Sequence, residues 1–327
     1  MKKKVKLSFP PEKWNIEKHS PSGSCVWGDY EFFMNQEIDE CDFWLVCGNI
    51  IPEKEKTIVP KKNVIFETSE SADIVNYNKK FLSQFSFVNS FRKDLNHPNL
   101  INSVPVIPWF VKMNFDELLK VQDTPKTKQM SLLASNKKIS INHLKRLNFV
   151  KKIGKYFGNE IDIFGAGFTE HVYDKNSTLD PYKYSVILET IEVPEYFSEK
   201  LGDCFLSQTF PIYHGCSNLD KYFDSKSYLR IHMHNLEDSV KSIKTVLESE
   251  NLYEERLDVL IEAKNKYLNN YSMFPVMANI LDRVSELNKN QQGKKELVEI
   301  TQFDPHNIFD RISNRLKVET YDLFHRS

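Results

Sequence analysis

Residues 182–223 read YKYSVILETIEVPEYFSEKLGDCFLSQTFPIYHGCSNLDKYF, and this stretch decides the fold class. Tyr184-Ser-Val-Ile-Leu-Glu189 is a nearly continuous apolar run, the pattern of a strand covered on both faces. Pro194 marks a loop, Glu195 to Ser207 reads as a helix with Ser198-Glu199-Lys200 in its opening turn, and Thr209-Phe-Pro-Ile-Tyr-His-Gly215 is a further strand. Strand, helix and strand in this succession predict a parallel sheet. In open α/β sheets, ligands sit beyond the carboxyl ends of the strands. Helix N-termini there carry partial positive charge that favours phosphate. Lys200 adds a full charge at that point. Glu199 is suited either to gripping sugar hydroxyls or simply to complementing the helix dipole.

The same alternation extends on both sides. Towards the N-terminus, Met130 to Ser135 ends a strand, and Ser140 can cap a helix with apolar residues at Ile141, Leu144, Leu147, Val150, Ile153 and Phe157. Gly158 stops that helix, and Ile161-Asp-Ile-Phe-Gly165 is a short strand running into the tight loop Gly165-Ala-Gly167. That loop lacks the third glycine and trailing acidic residue of a dinucleotide fingerprint. Two helices follow between Leu236 and Asn270. In the first third of the chain, Asp42–Gly48, Lys62–Phe66 and Phe85–Val88 read as strands. Val104–Phe110 reads as a fourth, demoted by Pro105 and Pro108 to an edge or an extended passage, and Tyr77–Gln84 as a helix. Gln122–Gln129, almost without apolar residues, is the best linker. The expected organisation is an α/β domain over residues 1–125, a second over 126–290 and a helical tail over 291–327.

Composition excludes several classes. Among 327 residues, 44 are Lys or Arg and 45 are Asp or Glu, so no global field steers the chain onto nucleic acid. The 40 % hydrophobic and 27 % charged content is that of a globular protein rather than a disordered one. The basic opening Met1-Lys-Lys-Lys-Val-Lys6 is followed by no apolar stretch, and Val104–Val111 is far too short to span a bilayer. The five cysteines are scattered and form no CxxC, which predicts buried free thiols and a reducing, cytoplasmic setting.

Ile187-Leu-Glu189, Tyr196-Phe-Ser-Glu199-Lys200-Leu and Phe210-Pro-Ile-Tyr-His-Gly215 together resemble the signature of the α-1,3-fucosyltransferase family, glycosyltransferase family 10. Two other segments fit. Ala134-Ser135-Asn136, with Arg146 ahead of Leu147-Asn-Phe149-Val150, is similar to the family's donor segment. Glu67-Thr-Ser-Glu70-Ser, seven residues before Tyr77-Asn78, is similar to its Thr-Gly-Glu-x-Pro segment. The resemblance covers residues 60 to 275. It departs from the pattern at Thr190, where the family has asparagine, at Ser198 for threonine, and at Ser69 and Ser71 for glycine and proline.

The resemblance implies two Rossmann-like α/β domains facing across a cleft (GT-B type) and inverting transfer of fucose from GDP-fucose to a glycan hydroxyl. The second domain would hold the donor through Ser135, Asn136, Arg146, Glu189, Thr190, Tyr196, Glu199 and Lys200. On the residues alone, Arg146 also reads as part of a solvated helix face beside Lys145, Lys151 and Lys152. Glu70 is the implied general base, with Glu67 as second choice, although two glutamates and two serines after a strand also read as a hydrated turn. No cofactor is required and a divalent metal is optional. The alternatives are the same scaffold using another nucleotide sugar, or a non-catalytic nucleotide-sugar or glycan-binding protein.

Other candidates are weaker. His232-Met-His234 has the spacing that puts two imidazoles on one strand face, with His214 as a third. No acidic or cysteine partner stands at ligand spacing, so these read as packing or surface histidines and no metal site is expected. Trp27, Trp109 and Phe110 read as core aromatics unless they stack on a sugar. Phe309, Ile312, Leu316 and Leu323, with Arg311, Arg315 and Lys317, make an imperfect amphipathic helix. Asp310, Glu319 and Asp322 dilute its basic face, so at most weak peripheral membrane contact is expected.

Overall fold

The computed structural model describes residues 1–10, 15–48, 54–168, 174–291, 293–301 and 317–321. It divides into two compact units. The first comprises Met1–Pro108, Asn114–Asp116 and the described residues of Asn270–Asn307. The second comprises Trp109–Met113, Glu117–Asn269 and the described residues of Ile308–Ser327.

The first unit is built on strands β1 (Lys3–Ser8), β2 (Val26–Trp27), β3 (Tyr30–Met34), β4 (Phe43–Cys47), β5 (Glu55–Pro60), β6 (Val64–Glu67), β7 (Phe87–Ser90) and β8 (Leu100–Asn102). All but β5 form one sheet in the order β2-β3-β1-β4-β6-β7-β8, parallel except for the β2–β3 pair. The apolar runs of β4 and β6 are buried throughout, as expected for central strands covered on both faces. Phe66 on β6 meets Tyr77, Phe81 and Phe85 with ring centroids 5.0 Å away in each case. That cluster is why residues after Tyr77 fold back as a short helix, α1 (Lys79–Leu82), capped by the Asn78 side chain.

Two readings of this region change. The basic opening of the chain is a strand in mid-sheet, β1, whose Val5 and Leu7 are fully buried. Its lysine density hid it. Lys6 is tolerated inside because its ammonium lies 3.2 Å from Glu55, whose other partner is the Ser8 hydroxyl at 2.7 Å. Strand β8 was not expected, and residues 104–110 lie outside any strand, which leaves the passage and not the edge strand of the two alternatives that Pro105 and Pro108 allowed.

After α2 (Phe115–Lys120), the second unit carries β9 (Lys128–Leu133), α3 (Ile141–Phe157), β10 (Asp162–Phe164), α4 (Asn176–Leu179), β11 (Tyr182–Leu188), α5 (Glu199–Leu206), β12 (Phe210–His214), β13 (Leu229–Arg230), α6 (Leu236–Glu248) and α7 (Leu252–Lys266). Its five strands are all parallel, in the order β10-β9-β11-β12-β13. Ser140 caps α3 by accepting from the His143 N–H, and Gly158 ends it at φ 53°. Helix α5 starts at Glu199 rather than Glu195, because Ser198 is the capping residue and Pro194 and Glu195 belong to the preceding loop.

From Asn270 the chain returns to the first unit through α8 (Met273–Leu287) and β14 (Lys295–Ile300), which pairs antiparallel with β5. Val298 and Ile300 enter the core beside Trp44 and Phe66. Within the tail, residues 295–300 are therefore strand, and residues 317–321 are helical. The remainder of the amphipathic stretch Phe309–Leu323 lies outside the described residues. Among the described residues, no helix is long and apolar enough to cross a membrane. All five cysteines are free thiols, four of them buried.

The loop after β10 tests this packing. Gly165 sits at φ 118°, and a Cβ there would lie 1.9 Å from the Ala134 carbonyl oxygen. Gly165→Ala combines steric overlap with backbone strain and is expected to cost ~1–3 kcal/mol or more, read as a lowered urea midpoint.

Candidate active site

The carboxyl end of β11 carries the densest polar cluster of the second unit. Glu189 continues the ladder past the end of β11, its N–H donating to the His214 carbonyl at 2.9 Å, and its side chain is 1 % exposed. One carboxylate oxygen accepts from the Ser198 N–H at 2.8 Å and the Ser198 hydroxyl at 2.6 Å; the other lies 3.1 Å from Lys200 Nζ. The first turn of α5 is thereby bound to the sheet. Gly215 makes this possible, since a Cβ there would come 2.6 Å from Glu189 Cγ and 2.3 Å from the Tyr213 hydroxyl.

The opposite charges continue along α5. Glu199 and Asp203, four apart, lie on one helix face and share Lys175, whose Nζ is 3.4 Å from Glu199 and 2.6 Å from Asp203. Asp203 is fully buried and also accepts from the Phe110 and Val111 N–H groups at 2.7 and 3.2 Å. Lys175 Nζ lies 4.8 Å from the Phe110 ring centroid, a cation–π contact. Burial opposes ionisation of Glu199, but Lys200 and Lys175 more than offset it and hold its pKa down to about 2. Burial likewise pulls Lys200 down, and Glu189 with Glu199 outweighs it, so the ammonium is held above its ordinary range.

Arg146 is buried on α3 and donates to the Ser135 hydroxyl at 3.3 Å, while its Nε has no hydrogen-bond partner. Burial lowers its pKa, against the fields of Glu189, Tyr196 and Glu199. The residue is therefore not the solvated helix face that its lysine neighbours suggested. Asn136 is exposed, with its N–H on the Ala166 carbonyl at 3.2 Å; Thr190 and Tyr196 are half-buried in the loop after β11. Glu195 holds that loop in a positive-φ conformation (63°), pinned by Asn218 at 3.1 Å and Lys221 at 2.9 Å.

Glu67 and Glu70 belong to the first unit. Glu67 ends β6 between Cys47 and Asn89 and is fully buried. Its oxygens accept from the Val106 N–H and the Ser69 hydroxyl, both at 3.1 Å. Burial pushes its pKa from an ordinary 4.5 up to about 8, so the acid is mainly neutral at pH 7. Glu70, in the following bend, is half-buried.

Sequence reasoning missed Lys175 and Asp203. Asp203 was legible as the i+4 partner of Glu199, but nothing local marks Lys175, which reaches α5 from α4's N-terminal flank. It also missed Glu192, the carboxylate beside His214 and His232.

A family model described as glycosyltransferase family 10 (fucosyltransferase), C-terminal part, matches residues 123–302, more than half of the chain. The chain belongs to glycosyltransferase family 10. The alpha-(1,3)-fucosyltransferase FucT of Helicobacter pylori is 33 % identical over 93 residues, 28 % of this chain and 19 % of that relative, so the matched stretch spans about a fifth of the relative's length. Among solved structures, an alpha1,3-fucosyltransferase with GDP-fucose superposes with TM-score 0.54 at 19 % identity, covering 93 % of each chain. An alpha1,3-fucosyltransferase with GDP gives 0.51 at 20 % identity over 83 % of this chain and 92 % of that one. These structures share the fold, and the α/β class of GT-B type expected from sequence is the observed one.

Two outcomes test the electrostatics. Asp203→Asn keeps an acceptor for Phe110 and Val111 but leaves Lys175 with Glu199 alone, and is expected to cost roughly 2–4 kcal/mol in urea unfolding. Glu67 titrates in the opposite sense to a salt-bridged acid. Between pH 4.5 and about 8 the folded state keeps a proton that the unfolded state has released, so its stabilisation is complete below pH 4.5 and lost as pH rises through 8. Unfolding free energy should fall by up to roughly 1.4 kcal/mol per pH unit across that window, and Glu67→Gln should flatten the decline.

Proposed function

We propose that the protein moves fucose from GDP-fucose to a glycan hydroxyl with inversion at the anomeric carbon. The observation that carries this reading is the convergence of Arg146 and Lys200 with the capped N-terminus of α5 at the carboxyl end of β11. The diphosphate of a departing GDP gains charge in an oxocarbenium-like transition state. Fixed cations and helix N–H groups meet that charge without reorganising. Lys200 is already oriented by Glu189, and the Arg146 Nε has no protein hydrogen-bond partner to give up. The charge complement comes from side chains, so a divalent ion is optional to this proposal.

Glu70 takes the acceptor hydroxyl's proton as that oxygen attacks the face opposite GDP. The state of Glu67 supports this choice: its oxygens are occupied by Val106 and Ser69, it is fully buried, and its neutral form is favoured, so it serves as an internal anchor. Arg146, Glu189, Tyr196, Glu199 and Lys200, with Ser135, Asn136 and Thr190 at the edge, form the donor side. The balanced charge argues against nucleic acid as a partner, the diluted basic tail is compatible at most with weak peripheral membrane contact, and the free thiols favour a cytoplasmic setting. Thr190, standing where the family has asparagine, favours as second reading another nucleotide-sugar donor on the same scaffold. GDP release from GDP-fucose, compared with other nucleotide sugars and with and without an acceptor panel, separates these readings from non-catalytic binding.

Lys200→Ala and Arg146→Ala, confirmed as folded, should each weaken GDP binding by ~1.5–3 kcal/mol in calorimetry, with Arg146→Lys an incomplete rescue. Unchanged affinity in both would remove the donor-site assignment. Glu70→Gln should lower turnover ~100-fold or more with GDP affinity within about twofold, whereas Glu67→Gln should cost much less. Normal turnover in Glu70→Gln would move the base elsewhere.

A further inference from the structure

Three parallel strands lie side by side in the order β11-β12-β13, and the chain leaving each one contributes one residue to a cluster outside the charge network described above. Glu192 comes from the loop after β11, His214 is the last residue of β12, and His232 follows β13 by two residues. Glu192 Oε1 is 2.8 Å from His232 Nδ1, and Oε2 is 3.8 Å from His214 Nδ1. One ligand atom from each of the three residues lies within 4.8 Å of the other two.

Two features separate this cluster from an ordinary histidine–carboxylate contact. Both Nδ1 atoms are buried and neither makes a hydrogen bond of good geometry, His232 Nδ1 despite its 2.8 Å approach to Glu192. Buried polar atoms are normally satisfied, so a pair left open towards one carboxylate calls for an occupant. The segment that carries His232 is also held beside β12 by the backbone, the Ile231 N–H donating to the Tyr213 carbonyl at 2.9 Å.

We propose that Glu192, His214 and His232 bind one divalent transition-metal ion of the zinc class. Two imidazole nitrogens and one carboxylate oxygen make a ligand set with an open position, suited to Zn²⁺ or Co²⁺. Ligand bonds of roughly 2.0–2.2 Å require donor atoms roughly 3–3.5 Å apart, and the observed separations, from 2.8 Å to within 4.8 Å, bracket that range. His234, mostly exposed with Nδ1 3.9 Å from Glu192, is outside the set. The bound ion would tie the loop bearing Glu189, Thr190 and Tyr196 to the ends of β12 and β13. It would thereby act on loop order and needs no step in group transfer. Metal binding at this site is independent of the donor's identity.

The test uses the full chain after dialysis against a chelator. Co²⁺ is titrated while visible ligand-field bands are recorded, then displaced with Zn²⁺, and the stoichiometry is checked by calorimetry. One ion per chain is expected. Glu192→Gln and His232→Ala, each confirmed as folded by circular dichroism, should weaken Zn²⁺ binding roughly tenfold or more, and His234→Ala by less than about threefold. His232 is partly exposed, so its variant keeps the test available if Glu192→Gln does not fold. Absence of saturable binding, wild-type affinity in the folded variants, or a larger loss in His234→Ala than in His232→Ala would overturn the assignment. The cluster would then be a hydrogen-bonding histidine–carboxylate contact only.

Discussion

A carboxylate as buried as Glu189 survives only if several donors meet it, because desolvating the charge costs several kcal/mol. Ser198 and Lys200 supply those donors from the first turn of α5. The contact therefore fixes the helix N-terminus against the carboxyl end of β11, and the rest of the cluster follows from it. Glu199 and Asp203 turn towards Lys175, Lys175 is held over Phe110, and Asp203 holds the backbone at Phe110 and Val111. Opposite charges alternate through the cluster, which is how three acids and two lysines share so small a volume.

The two units resolve the same problem in opposite ways. In each, a glutamate stands at the carboxyl end of a central parallel strand. Glu189 is paired with an ammonium group, whereas Glu67 has only neutral donors and its burial favours the protonated acid. A chemically identical side chain thus becomes part of an ion-pair network in one sheet and a neutral strut in the other. This difference makes Glu67 part of the scaffold of the first unit, while Glu70, one bend further on, is half-buried.

The buried runs Phe43–Cys47, Val64–Glu67 and Tyr182–Leu188 were legible because strands covered on both faces need continuous apolar sequence. Helix α3 was legible from its period and its serine cap. Strand β1 was not, since a lysine inside a sheet becomes acceptable only when a distant residue, Glu55, neutralises it. The strand β14 was missed because Lys295-Glu-Leu-Val-Glu-Ile300 mixes charged and apolar residues without a clean period of two and acquires a face only by pairing with β5.

By itself the sequence determined the α/β class, the parallel strands and the presence of Ser198, Glu199 and Lys200 in the opening turn of α5, all of which are set by patterns within some forty residues. Tertiary structure alone decided which groups are desolvated and which charges meet. Arg146 became a buried cation, Glu67 a neutral acid, Lys175 a member of the α5 network, and Glu192 the neighbour of two histidines. The physical reason is that burial and Coulomb energies depend on distance in space. Residues 192, 214 and 232 are brought together by the lateral order of β11, β12 and β13, which no local spacing encodes.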